Sequence, residues 1–218
     1  MLQGVVFDFD GLIADTEWPE YRAVAEQFEL RGLSFPPEAW AHVIGSSWKV
    51  DWISDLEQRL GQTVDRQAVL TRHAQRKAEL RVGLRPLPGV LQLLDAVAEA
   101  GLRVAVASSS PRSWVEPRLE ELALRSYFPI IRTLDDVSAA KPAPELFLAA
   151  CHALGIEPAR AVALEDSANG ATAAKAAGMR CIAVPNRLTK FLDLSHADVV
   201  LDSLEEVTIE FLTSLVQD

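Results

Sequence analysis

Apolar and polar residues follow two different periods along the chain. Short apolar runs have the length and composition of buried strands, and longer segments repeat apolar residues at helical spacing. The first run covers residues 5–9, and later strand patterns fall near Leu102, Ile130, Ala161, Arg180 and Val199. Helical patterns such as residues 89–100 separate these later strands. The alternation predicts an α/β fold with a parallel sheet.

The region between the first strand and Leu102 has helical patterns and no comparable strand run. Four helices are predicted there, over residues 18–30, 36–44, 50–60 and 67–81. Breaks between them fall at Gly32, Gly45 and Gly61. This block predicts an α-helical insert over residues 15–83. Residues 1–14 and 84–218 then form the α/β core.

Two carboxylates end the first apolar run. Asp8 and Asp10 are one residue apart, so they project on the same side if the strand continues through Phe9. Like charges this close repel each other unless a cation neutralises them. Gly11 follows at once and allows a sharp turn with close approach to a ligand. The pattern favours an Mg²⁺ site, because Mg²⁺ takes few carboxylates and accepts phosphate oxygens. A solvated turn at a strand end is the alternative.

Polar residues also follow the strand pattern near Leu102. Ser108, Ser109 and Ser110 precede Pro111, which suits the first turn of a helix. Hydroxyl groups and free backbone N–H groups at a helix N-terminus make an anion site. Simple helix capping by the same serines is the alternative.

Two further segments place charged groups beside predicted helices. Lys141 lies next to Pro142 and near Pro144, which hold its backbone and would aim its ammonium at a phosphate. An ordinary surface lysine is the alternative. Glu165 and Asp166 follow another strand pattern, where they are either the second half of a metal site or helix caps.

With these segments taken in order, the chain resembles the haloacid dehalogenase superfamily of phosphohydrolases. The branch it resembles includes β-phosphoglucomutase and phosphoglycolate phosphatase. The matching pieces are Asp8-Phe9-Asp10-Gly11, Ser108, Lys141-Pro142 and Glu165-Asp166-Ser167. The resemblance implies a Rossmann-like core, a helical cap over residues 15–83 that closes on the site, and an aspartyl-phosphate intermediate.

The resemblance also implies a role for each matching residue. Asp8 would attack phosphorus, and Asp10 would protonate the leaving oxygen and then activate water. Ser108 would hydrogen-bond the phosphoryl oxygens, and Lys141 would neutralise charge beside Asp8. The implied Mg²⁺ ligands are Asp8, the backbone carbonyl of Asp10, and Asp166, with Glu165 nearby.

Substrate specificity is expected to come from the cap. The loop Ser46-Ser47-Trp48-Lys49 joins two predicted cap helices, and the resemblance makes it face the substrate. The further substrate-binding candidates are Gly11, Glu17 and Ser109. Mutases of this branch carry an Arg near Trp48 and a His near Glu20, and this chain has neither. Their absence weakens a mutase interpretation, although Lys49 offers a replacement cation.

Composition restricts the partners and the compartment. The chain has a net charge of −10 and a pI near 4.9, which disfavours nucleic acid and anionic membranes as partners through bulk charge. Cys151 and Cys181 are the only cysteines, and two cysteines without close spacing indicate neither a zinc site nor a disulfide framework and fit a reducing compartment. No apolar stretch of the sequence is long enough to span a bilayer. We therefore expect a cytoplasmic protein, either a monomer or a weak homodimer.

These features together predict a Mg²⁺-dependent phosphatase that acts on a small phosphorylated metabolite. A phosphomutase is the main alternative, since it would use the same aspartyl-phosphate and return the phosphoryl group to a sugar. A non-catalytic phosphate-binding or regulatory module is a further alternative. Such a module is expected to have lost a charged motif residue, and all of them are present here.

Overall fold

The computed structural model describes residues 1–41 and 51–216. Within these residues the strands are β1 (Gly4–Phe7), β2 (Arg103–Ala107), β3 (Ile130–Arg132), β4 (Ala161–Glu165), β5 (Arg180–Ala183) and β6 (Val199–Val200). They form one parallel sheet in the order β3-β2-β1-β4-β5-β6. The prediction of a parallel, Rossmann-like α/β fold is confirmed.

Helices surround this sheet and fill the connection between β1 and β2. The helices among the described residues are α1 (Glu17–Glu29), α2 (Pro37–Ala41), α3 (Trp52–Leu60), α4 (Arg66–Arg81), α5 (Val90–Glu99), α6 (Arg112–Glu121), α7 (Glu145–Leu154), α8 (Ala168–Ala176) and α9 (Ile209–Ser214). None of them is long and apolar enough to cross a membrane.

Both faces of the sheet are covered, which explains why its central strands are apolar up to Glu165, the last residue of β4. Every residue of β1 and β4 is buried. Val5 and Phe7 pack on one face with side chains of α5, α6 and α9. Val6 points to the opposite face and packs with α7 and α8. The chain is therefore a three-layer α/β structure around two hydrophobic clusters.

The register of the central strands places the ends of three strands side by side. Phe7 of β1 pairs with Val106 of β2 on one side and with Leu164 of β4 on the other. β1 ends at Phe7, slightly before the predicted end, and the Asp8 N–H adds one more bond to the Leu164 carbonyl (2.9 Å). Polar residues that follow these strands consequently meet at one edge of the sheet.

The four helices α1–α4, here called the helical block, share a third hydrophobic cluster to which each of them contributes. Asp51 and Asp65 begin α3 and α4 by accepting hydrogen bonds from backbone N–H groups of the first turn. The second helix was predicted over residues 36–44, and its last three positions lie outside the described residues. The boundary of the insert at residues 15–83 stays a prediction.

One residue from the α/β part of the chain packs inside the helical block. Leu188 comes from the loop after β5, is fully buried, and belongs to the same cluster as Phe28 of α1 and Leu56 of α3. The loop after β5 therefore ties the sheet to the helical block through a hydrophobic contact.

We expect Leu188→Ala to lower the free energy of unfolding by about 2–5 kcal/mol, because it removes buried methyl groups and leaves a cavity. Urea denaturation monitored by circular dichroism measures this loss. Leu91→Ala is the matched control, since Leu91 on α5 is 43% exposed and its truncation should change stability little. Equal effects of the two variants would contradict the assigned packing.

Candidate active site

Three buried carboxylates lie together where β1 and β4 end. Asp8 follows β1, Glu165 is the last residue of β4, and Asp166 follows it. One oxygen from each carboxylate lies within 4.8 Å of the others. The structure thus brings together three of the acidic residues that the sequence predicted for a metal site.

Lys141 is the cation of this cluster. Its Nζ donates to Asp8 Oδ1, to Glu165 Oε1 (2.6 Å) and to the carbonyl of Ala107 at the end of β2 (2.7 Å). The residue is only 5% exposed, so these three bonds replace its contacts with water. Burial alone would lower the pKa of Lys141, but the Asp8 and Glu165 carboxylates raise it above its ordinary value. Lys141 therefore carries a positive charge at neutral pH.

One ammonium does not balance three carboxylates. Burial raises the pKa of Asp8 well above its ordinary range, and Lys141 opposes that rise. Burial, and then the carboxylates of Asp8 and Glu165, raise the pKa of Asp166 in the same direction. Full ionisation would leave two negative charges uncompensated in a site with little water. A divalent cation with oxygen ligands fits this excess charge and this donor set.

Glu165 and Asp166 differ in how their oxygens are used. Oε1 of Glu165 accepts from Lys141, and Oε2 accepts from the hydroxyl of Ser167 (3.1 Å) and from the backbone N–H of Asp166 (3.2 Å). The space beside this carboxyl group exists only because residue 170 is glycine. A Cβ there would lie 1.9 Å from the carboxyl carbon of Glu165. Glu165 is thus held on both oxygens by protein donors.

Asp166 is oriented by a residue that the sequence reasoning missed. The Asn186 amide donates to Asp166 Oδ2 (2.7 Å) and to the carbonyl of Gly11 (3.1 Å). Gly11 has a φ of +87°, and a Cβ there would lie 2.3 Å from Asp166 Oδ2. Asn186 follows β5, so its position at the end of a predicted strand was the available signal.

Asp10 has its own set of partners, which differ from those of Asp8. Its Oδ1 accepts from the hydroxyl of Thr16 (2.6 Å) and from Nε1 of Trp114 (2.8 Å). Its Oδ2 accepts from the hydroxyl of Ser110 (2.6 Å), with the Ser108 hydroxyl at 3.4 Å. Thr16 and Trp114 were not predicted as site residues. The two carboxylates of the first motif therefore lie in different surroundings, Asp8 with charged groups and Asp10 with neutral donors.

A cavity of about 150 Å³ opens next to Asp10, between the core and the helical block. Its lining residues are Asp10, Thr16, Glu17, Glu20, Arg81, Ser110 and Trp114. Burial, followed by the charges of Asp10 and Glu20, raises the pKa of Glu17 to about 7. Burial would also raise the pKa of Glu20, but the neighbouring His73 and Lys77 lower it to about 2. Asp10 therefore borders an open space that is also lined by side chains of the helical block.

The remaining predicted site residues divide into two groups. The Ser109 hydroxyl is buried beside the site and has no hydrogen-bond partner in the described part of the chain. The second group consists of the cap-loop candidates Ser46, Ser47, Trp48 and Lys49, which lie outside the described residues.

Comparison with known proteins shows the family. The sequence model of the haloacid dehalogenase-like hydrolases matches residues 5–184 of this chain. YhcW of Bacillus subtilis is 39% identical over 212 residues, which cover 97% of this chain and 96% of YhcW. Hexitol phosphatase B of Escherichia coli is 34% identical over 215 residues, 95% of each protein.

A solved structure agrees with this result. The crystal structure of CbbY from Rhodobacter sphaeroides in complex with phosphate has a TM-score of 0.74 and 30% identity, and the match covers 98% of this chain and all of CbbY. The fold, the predicted family and the order of the four motifs agree with one another. The chain belongs to the haloacid dehalogenase-like hydrolases.

Proposed function

We propose that this protein is a Mg²⁺-dependent phosphatase that hydrolyses phosphomonoesters of a small metabolite, such as a sugar phosphate, through an aspartyl-phosphate on Asp8. Its family and its phosphatase relatives make the chain a phosphoric monoester hydrolase. The observation that carries the finer proposal is the buried cluster of Asp8, Glu165 and Asp166 around the single ammonium of Lys141. The phosphate bound to CbbY and the substrate named for hexitol phosphatase B support this substrate class.

This donor set and the family resemblance support a specific set of metal ligands. Asp8 and Asp166 would hold Mg²⁺ with their carboxylates, and Asp10 would add its backbone carbonyl. Glu165 would stay outside the first coordination sphere, because protein donors already engage both of its oxygens. When bound, Mg²⁺ supplies charge neutralisation that lets an anionic phosphate approach the carboxylates.

Formation of the aspartyl-phosphate needs a nucleophile, an acid and positive charge. A carboxylate oxygen of Asp8 attacks phosphorus while the bond from phosphorus to the ester oxygen breaks. Asp10 donates its proton to the departing oxygen, which leaves as an alcohol. Lys141, already bonded to Asp8, stabilises charge on the transferring group, and Ser108 donates to a phosphoryl oxygen.

Hydrolysis of the intermediate uses the same residues in reverse. Asp10, now a carboxylate, takes a proton from water as the water oxygen attacks phosphorus. The bond between phosphorus and the Asp8 oxygen breaks, so phosphate leaves and Asp8 is regenerated. The Ser110 hydroxyl on Oδ2 of Asp10 can rotate, so it accepts or donates according to the protonation state of Asp10.

The helical block would act as the cap, over residues 15–83, and would supply substrate contacts. Glu17 lines the cavity beside Asp10 and would contact substrate hydroxyls. Gly11 and Ser109 would lie against the phosphoryl group, and the loop of residues 46–49 would reach the rest of the substrate. Closure of the block would exclude water and complete the pocket.

A phosphomutase remains the competing function, because it shares the first step. Glu20 stands near the place where mutases of this branch carry His, and its carboxylate lies 2.9 Å from Lys77 Nζ and 3.1 Å from His73 Nε2. These contacts give Glu20 partners within the helical block. Product analysis on a panel of sugar phosphates separates the two functions. Release of inorganic phosphate supports a phosphatase, and accumulation of an isomeric sugar phosphate without it would overturn the proposal.

We expect Asp8→Asn to lower turnover by more than about 10³-fold, because an amide is not a useful nucleophile. Removal of Mg²⁺ with EDTA should stop the wild-type enzyme equally. Phosphate release from p-nitrophenyl phosphate measures both effects, and circular dichroism checks that each sample stays folded. Substantial turnover by folded Asp8→Asn would remove Asp8 from its assigned role.

Asp166→Asn should weaken Mg²⁺ binding more than Glu165→Gln does, if Asp166 is the direct ligand. Loss of an outer-sphere partner typically costs about 10- to 100-fold in affinity, and loss of a direct ligand costs more. Isothermal titration calorimetry of the apo proteins with MgCl₂ measures the difference. If Glu165→Gln weakens Mg²⁺ binding more than Asp166→Asn does, Glu165 is the direct ligand and Asp166 the outer-sphere partner.

Without metal, stability should fall as the pH rises above the ordinary carboxyl range of about 4. The raised pKa of Asp166 means that the folded protein keeps a proton that the unfolded chain has lost, so a higher pH favours unfolding until Asp166 ionises. Mg²⁺ binds the ionised form and should stabilise the protein more at pH 8 than at pH 5. Thermal unfolding at several pH values tests this. Asp166→Asn should make the apo profile less steep, with a remaining slope from Asp8 and Glu17, whose pKa values are also raised, whereas the exposed control Glu99→Gln should leave the profile unchanged.

A further inference from the structure

The Trp114 side chain has no role in the mechanism described above, yet it contacts the proposed acid and base. Trp114 lies in the first turn of α6, and its Nε1 donates to Asp10 Oδ1 at 2.8 Å across 104 positions of sequence. The ring is half-buried and lines the cavity beside Asp10. A large aromatic residue therefore forms one wall of the space where proton transfer takes place.

The indole differs chemically from the other donors to Asp10. An indole N–H donates and never accepts, whereas the hydroxyls of Thr16 and Ser110 do either. Oδ1, which faces the indole, must therefore stay an acceptor in both protonation states of Asp10. The proton of the acid form is left to Oδ2, the oxygen that faces Ser110 and Ser108. Ser108 is the proposed phosphoryl contact, so Oδ2 faces the reacting group.

The ring of Trp114 also contacts an arginine of the helical block. The guanidinium carbon of Arg81 lies 4.3 Å from the ring centroid of Trp114, and that of Arg118 lies 5.0 Å from it. Both distances are within the range of cation–π attraction. Arg118 belongs to α6 itself, but Arg81 is the last residue of α4. The orientation of the indole therefore depends on where the helical block lies.

We propose that Trp114 is a positioning residue for Asp10: its N–H keeps the transferable proton on Oδ2, and Arg81 links this arrangement to the helical block. The inference rests on the proposed acid role of Asp10. It goes beyond that role, because it assigns which oxygen carries the proton and which part of the chain controls it.

The test compares two small esters that differ in their need for an acid. Phenyl phosphate has a poor leaving group that needs protonation, whereas 2,4-dinitrophenyl phosphate has a good one that does not. Trp114→Phe keeps a ring under Arg81 and removes the N–H. We expect this variant to lower kcat/KM for phenyl phosphate about tenfold, which is the cost of losing one hydrogen bond to a charged group. For the dinitrophenyl ester we expect kcat/KM to fall by less than about twofold, because its leaving group needs no proton. A purely structural role would lower both values alike.

Two controls separate the possible failures. Asp10→Asn must show a large loss that is specific to phenyl phosphate; without it, the acid role of Asp10 and the proposed mechanism fail. If Asp10→Asn shows that loss and Trp114→Phe, with a wild-type melting temperature, does not, the role of Trp114 is overturned. Trp52→Phe is the matched aromatic control, because Trp52 lies in the cluster of the helical block. It should leave the ratio of the two kcat/KM values unchanged.

The link to the helical block has a separate test. Arg81→Met keeps a long side chain over the ring and removes its charge, so we expect a loss of about threefold that is confined to phenyl phosphate. Arg76→Met is the control on the same helix, since Arg76 pairs with Glu26 and Glu79 instead. If both variants give the same ratio of kcat/KM values, the control of the indole by the helical block is overturned.

Discussion

The ammonium of Lys141 lies between two carboxylates that could not otherwise be buried side by side. It contacts Asp8 after β1, Glu165 at the end of β4 and the backbone of Ala107 at the end of β2. Removal of one partner from such a buried set typically costs about 3–5 kcal/mol, because it leaves a charge without compensation. The geometry of the site depends on this one cation, since it links the ends of three neighbouring strands.

Around that cation the structure separates two carboxylates that are almost adjacent in sequence. Asp8 lies among charged groups that suit a nucleophile beside a metal. Asp10 lies among hydroxyls and an indole N–H that suit proton transfer. Different surroundings are the general means by which two like residues take different chemical roles. Gly11 comes directly after Asp10, and its positive φ turns the chain at that point.

The loop after β5 connects this chemistry to the helical block. Asn186 holds Asp166, and the next residue, Arg187, pairs with Asp15 (2.6 Å) and lies 3.8 Å over the ring of Trp18 at the start of the block. Leu188 then enters the hydrophobic cluster of the block. Three successive residues thus contact the carboxylate cluster, Asp15 ahead of α1, and the interior of the helical block. This loop therefore connects the carboxylate cluster to the helical block by direct contacts.

The sequence by itself determined the parallel sheet, the helical character of the block, and the polar residues at the strand ends, because each depends on local periodicity and on the residue that ends a run. Asp8, Asp10, Ser108, Lys141, Glu165 and Asp166 could be named from these signals. Only the tertiary structure decided which donors surround each carboxylate. Asn186 and Trp114 meet Asp166 and Asp10 across 20 and 104 positions, and such proximity leaves no periodic trace in a single sequence. Substrate contacts of residues 46–49 stay predictions, because these residues lie outside the described part of the chain.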